Sequence, residues 1–119
     1  MMALTTHILD IAHGRPAASV QVQLFSIDEA GTRTQLREDW TNDDGRLNVP
    51  MLHADQLKAG EYEMLFFIGN YFASIEQAPA DEPRFLQHVC IRFGISAPEE
   101  HYHIPLLISP WGYQTYRGS

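Results

Sequence analysis

The chain has 119 residues, 45% of them apolar, which suits one domain over residues 1–119 with an ordinary core and leaves too little for two. Fifteen acidic side chains against eight basic ones leave a net charge of −7, a balance that repels phosphate backbones and argues against nucleic acid as a partner. Cys90, the single cysteine, cannot close an internal disulfide, and no run nears the roughly 20 apolar residues of a membrane helix.

In chain order, a first strand is expected over residues 5–12, and His13-Gly14-Arg15-Pro16 then reads as a turn. Val20, Val22 and Leu24 alternate with polar residues, so the turn should lead into a second strand and open the chain with a hairpin. A polar third strand covers residues 32–41. Asn42-Asp43-Asp44-Gly45 is a strong turn signal, followed by a short strand over 46–49 that Pro50 stops. The fifth strand, 61–68, places Tyr62, Met64, Phe66 and Ile68 on one face. Residues 70–77 fit one or two helical turns capped by Asn70, and 78–83 form a loop. A long strand over 84–95 aligns Phe85, Val89, Ile91, Phe93 and Ile95. Strands over 101–109 and 113–116 flank a turn at Pro110-Trp111-Gly112. Eight short strands at this spacing predict an all-β, two-sheet sandwich with one short helix.

The chemistry gathers near the ends. Tyr102, Ile104, Leu106 and Ile108 form a core face, so His101 and His103 project from the opposite face with stems roughly 6.5–7 Å apart. Such a pair is either two solvated histidines or a site that shares water, ligand or metal. Leu107 lies on the same face, which suggests cover by another subunit. Pro105, which has no amide to donate, should sit where no partner needs one. His7 stands beside Leu9 and Ile11 and by itself reads as a hydrogen-bonded core residue, Arg46 as a surface charge at a strand end. His13, His53 and His88 read as structural or exposed, and Cys90 as unreactive. Tyr116-Arg117-Gly118-Ser119 is either a plain strand end or the completion of a site.

Two stretches carry a family resemblance. Residues 7–17, His7-Ile8-Leu9-Asp10-Ile11-Ala12-His13-Gly14-Arg15-Pro16-Ala17, and residues 102–113, Tyr102-His103-Ile104-Pro105-Leu106-Leu107-Ile108-Ser109-Pro110-Trp111-Gly112-Tyr113, resemble the two signatures of the transthyretin family. Of its two branches, hormone carriers and 5-hydroxyisourate hydrolases, the chain resembles the hydrolases through His7, Arg46, His101, His103 and the ending Tyr116 to Ser119.

The resemblance implies opening of the six-membered ring of 5-hydroxyisourate, in urate breakdown, to 2-oxo-4-hydroxy-4-carboxy-5-ureidoimidazoline. It implies catalytic roles for His7, Arg46 and His103 and substrate contacts from His101, Tyr116, Arg117, Gly118 and Ser119. It also implies a homotetramer, a dimer of dimers enclosing a channel. No cofactor is expected, although zinc held adventitiously or catalytically by the histidines is a rival mechanism. A carrier of small aromatic ligands is the rival function. The expected location is the cytoplasm: the N-terminus lacks the pattern of a secretion signal, and the C-terminus lacks Ser-Lys-Leu.

Overall fold

A computed structural model describes residues 2–76 and 82–119. In chain order its strands are β1 (Leu4–Asp10), β2 (Arg15–Pro16), β3 (Gln21–Ile27), β4 (Arg33–Trp40) and β5 (Gly60–Phe66). Helix α1 (Ile68–Ile75) follows, then β6 (Val89–Ile95), β7 (Tyr102–Ile108) and β8 (Tyr113–Thr115). One sheet has the order β2-β1-β7-β8 and the other β4-β3-β5-β6. The two-sheet sandwich with one short helix is therefore as expected.

Alternation decides which side chains meet between the sheets. On β7, Tyr102, Ile104, Leu106 and Ile108 are buried, and on β5 so are Tyr62, Met64 and Phe66. Full burial of one such side chain contributes roughly 1.5–3 kcal/mol, so a one-residue slip of either strand would forfeit several of them. β1 and β7 run parallel, with Leu4 opposite Tyr102 and Asp10 opposite Ile108, which joins the two ends of the chain side by side. The buried parity of β1 includes two polar residues, Thr6 and Asp10. Both are satisfied. Thr6 Oγ1 donates to the Ile104 carbonyl at 2.7 Å, and Asp10 accepts from the Tyr71 hydroxyl of α1 at 2.8 Å and from His13 Nδ1 at 2.7 Å.

Several expected elements differ. The opening hairpin is only β1 with the two-residue β2, because β3 belongs to the other sheet. Residues 46–49 form no strand. Arg46 makes a single bridge to His7, and Leu52 another to Leu4, while Ile8 N–H donates to Gly45 and Met51 N–H to Leu4. This irregular segment, interrupted by Pro50, covers the stretch of β1 that β2 leaves unpaired.

The helix begins at Ile68 rather than Asn70 and has no side-chain cap. The Gln87 carbonyl accepts from Gly69 N–H in its place, and Asn70 Oδ1 instead accepts from Gln87 Nε2. Gln77, its expected end, and loop residues 78–81 lie outside the described residues. β6 begins at Val89, not at residue 84, and Phe85 is 72% exposed against Trp111. Pro105 does sit where no amide is required: its carbonyl meets the Thr115 hydroxyl at 2.7 Å, just beyond the last β7–β8 pair at Leu106.

Candidate active site

The parallel register of β1 and β7 carries residues of one parity to a shared outward face. Thr5 lies opposite His103 and His7 opposite Pro105. His7 is therefore not in the core, because the inward parity of β1 belongs to Leu4, Thr6, Ile8 and Asp10. Leu9 is only half-buried and Ile11, past the strand end, is exposed.

Gly45 brings Arg46 to this face. It adopts φ +76°, and a Cβ there would collide with the Ile8 carbonyl oxygen, so only glycine closes the 42–45 turn against β1. The turn is further held by Asn42 Oδ1, which accepts from the amides of Asp44 and Arg46. The Asp44 carbonyl in turn accepts from His7 Nε2 at 2.9 Å.

A pocket of about 230 Å³ is lined by Thr5, Arg46, His101, His103 and Ser119, with Leu47 and Val49 as apolar wall. The His101 and His103 rings stack with centroids 6.5 Å apart. Thr5 Oγ1 lies 2.8 Å from His103 Nδ1 and 3.4 Å from His101 Nε2. The end of the chain is clamped here, since Gly118 N–H donates to the His103 carbonyl at 2.7 Å.

Burial pulls the His103 pKa below its ordinary value, and the charge of Arg46 and then the neighbouring His101 and His7 add to the effect. Burial and Arg46 likewise lower His7, against an opposing contribution from the Asp44 carbonyl. Both imidazoles are thus biased toward the neutral form at pH 7, able to accept a proton.

Not every expected residue lines the pocket: His7 stands on the same strand face and Gly118 against His103, but neither is part of its wall. Tyr116 and Arg117 line a second cavity of about 330 Å³ beside Ile91, Phe93 and Tyr102, which His103 separates from the first. The Arg117 guanidinium stacks 4.1 Å from the Tyr102 ring and donates to Glu100 and to the His101 carbonyl. The sequence alone singles out neither Thr5 nor the Asp44 carbonyl, and only the register of two strands nearly a hundred residues apart sets Thr5 beside His103. Among the described residues, no group of three or more His, Cys, Asp or Glu side chains is gathered closely enough to share a metal ion. Cys90 donates to Glu63 Oε1 at 2.6 Å, and burial, reinforced by that carboxylate, pushes the thiol up to about 11, in keeping with an unreactive thiol.

Two four-stranded sheets with imidazoles and a guanidinium on one outward sheet face define a transthyretin-like sandwich. The chain belongs to the HIUase/Transthyretin family, which it matches over residues 4–118. It is 48% identical to the 5-hydroxyisourate hydrolase of Mesorhizobium japonicum over 116 residues, 98% of this chain and 91% of that one. Among solved structures, (S)-allantoin synthase superposes with a TM-score of 0.88 at 41% identity over 98% of this chain, which spans 43% of that longer one. Transthyretin from Sparus aurata superposes with a TM-score of 0.86 over 99% of this chain and 97% of its own, at 26% identity. The resemblance carried by the two terminal signatures is borne out.

Proposed function

We propose that this chain, as a single domain, hydrolyses the ring amide of 5-hydroxyisourate, with His7, Arg46 and His103 as the reacting constellation. The observation that carries the reading is the meeting of Arg46 and His103 in one pocket, with His7 on the same strand face and its backbone bridged to that of Arg46. The name of the Mesorhizobium japonicum relative at 48% identity supports the substrate.

Water is a weak nucleophile at pH 7, so its attack on the carbonyl needs a base. A neutral histidine supplies one, worth about 10²–10⁴ in rate. His7 and His103 handle the water and the leaving nitrogen, while Arg46 offsets the charge developing on the carbonyl oxygen. His101 and Ser119 complete the pocket wall, and Tyr116 and Arg117 shape its margin from the adjoining cavity.

In this reading the enzyme is a homotetramer, a dimer of dimers. Its support is the half-buried outward face bearing Leu9, His103 and Leu107, which a neighbouring copy would cover. The reaction calls for no cofactor and runs in the cytoplasm, where an unpaired Cys90 is at home. Among the described residues, no helix is long and apolar enough to cross a membrane.

The test supplies urate and urate oxidase and follows the transient intermediate optically. The protein should speed its disappearance, before and after exhaustive chelation with no metal left by elemental analysis. His103→Ala or Arg46→Ala should lower kcat by about 10²-fold or more, with the assembly unchanged by size exclusion. An intermediate that decays at its spontaneous rate would defeat the reading and leave a carrier of aromatic ligands.

A further inference from the structure

Hydrogen-bond chemistry fixes where the ring protons of the three histidines sit. His7 Nε2 faces the Asp44 carbonyl oxygen at 2.9 Å. A carbonyl can only accept, so Nε2 carries the proton and Nδ1 keeps a bare lone pair. The Thr5 hydroxyl contacts two imidazoles, at 2.8 Å to His103 Nδ1 and 3.4 Å to His101 Nε2, and has one hydrogen to give.

His101 Nδ1 decides between the two ways of using that hydrogen. It is buried and has no partner among the described residues. If Thr5 donated to His101 Nε2, neutral His101 would carry its own proton on Nδ1, a buried donor with nothing to receive it. A buried lone pair without a partner is the lesser penalty. The consistent arrangement has Thr5 donating along its shorter contact to His103 Nδ1 and accepting from His101 Nε2–H. His103 then holds its proton on Nε2.

We propose that Thr5 is a positioning residue that fixes His103 as an Nε2–H donor, leaving His7 Nδ1 as the base. This rests on the hydrolysis proposed above and narrows the handling of water and leaving nitrogen, shared there by His7 and His103, to His7 alone, with His103 turned to the carbonyl oxygen. As the water oxygen bonds the carbonyl carbon, a water proton passes to His7 Nδ1. The same proton moves from Nδ1 to the ring nitrogen as the C–N bond breaks. The His103 Nε2 proton stays in place, because a neutral imidazole that released it would become an imidazolate. It serves as a hydrogen-bond donor to the carbonyl oxygen, beside the charge of Arg46.

Nitrogen-15 NMR of the imidazole rings reads these tautomers in the unliganded protein. His7 and His103 should both appear as Nε2–H in the wild type. Thr5→Val, which keeps shape and strand propensity but loses the hydroxyl, should redistribute the His103 proton between its two nitrogens. It should also lower kcat about 100-fold, the scale of losing one oxyanion donor, with KM little changed. Thr5→Ser should restore the tautomer and kcat together. A His103 proton on Nδ1 in the wild type, an unchanged kcat in Thr5→Val, or a serine variant that fails to rescue would each overturn the proposal. A wild-type protein without hydrolase activity would sink the reaction instead, with the tautomers still readable in their own right.

Discussion

Gly118 and His103 are locked backbone to backbone, the Gly118 amide donating to the His103 carbonyl at 2.7 Å, and a Cβ on Gly118 would lie 2.7 Å from His103 Cδ2. Only a residue without a side chain lets the chain end close against that ring. Gly118 thus bears directly on where the His103 ring lies.

Gly118→Ala must therefore displace either the imidazole or the last two residues. A misplacement of about 1 Å at a reacting group costs on the order of 10²-fold, so kcat should fall by roughly that factor. The melting temperature should stay near wild type, because neither Gly118 nor His103 belongs to the buried core. Steady-state kinetics beside a thermal melt checks the pair of outcomes, and an unaltered kcat would show that the clamp does not position the ring.

Burial, and after it the Arg46 charge, lowers the pH range in which the two histidines titrate. His7 and His103 both titrate below their ordinary value of 6.5, each held down first by burial and then by the Arg46 charge. The acid limb of kcat/KM should therefore lie below that pH. Arg46→Gln removes the charge and should move the limb upward, toward 6.5, alongside a general loss of rate, whereas Arg46→Lys should keep it in place. The same shifts act on stability. Below pH 6.5 the unfolded chain binds protons that the folded one resists, so folding stability falls as the solution is acidified through that range. A pH–rate profile of each variant is the measurement.

The tie between α1 and β1 is a matter of stability alone. Asp10 is buried, and Tyr71 supplies one of its donors; burial and then Asp10 itself push the tyrosine up to about 12, so the phenol remains protonated. Tyr71→Phe leaves a buried carboxylate oxygen with one donor fewer, a loss of about 1–3 kcal/mol. Denaturant unfolding should show that drop, while kcat for 5-hydroxyisourate stays at the wild-type level. Neither residue lines the pocket.

The chain by itself determined the faces of its strands. Alternation has a period of two and is local, so the burial of Tyr102, Ile104, Leu106 and Ile108, and the outward placing of His103, could be read directly from the order of residues. The 42–45 turn was legible for the same reason: its chemistry is contained in Asn42 and Gly45. The family resemblance, carried by signatures at the two ends, also pointed to His7, and its hydrolase branch to Arg46 and the final four residues.

Partnership was decided only in three dimensions. A period of two says which way His7 points relative to Leu4, but not that β1 lies parallel to β7, and that register alone sets Thr5 against His103. Phe85 continues an apolar pattern and yet is exposed, because β6 begins only at Val89. Asn70 has the chemistry of a helix cap, but the Gln87 carbonyl already serves the Gly69 amide. Arg46 was expected in a strand, and instead an irregular stretch along β1 sets it opposite His7. Except at Phe85, the deciding contact joins residues far apart in the chain, where local propensity has no bearing and packing of the whole sandwich selects the neighbour.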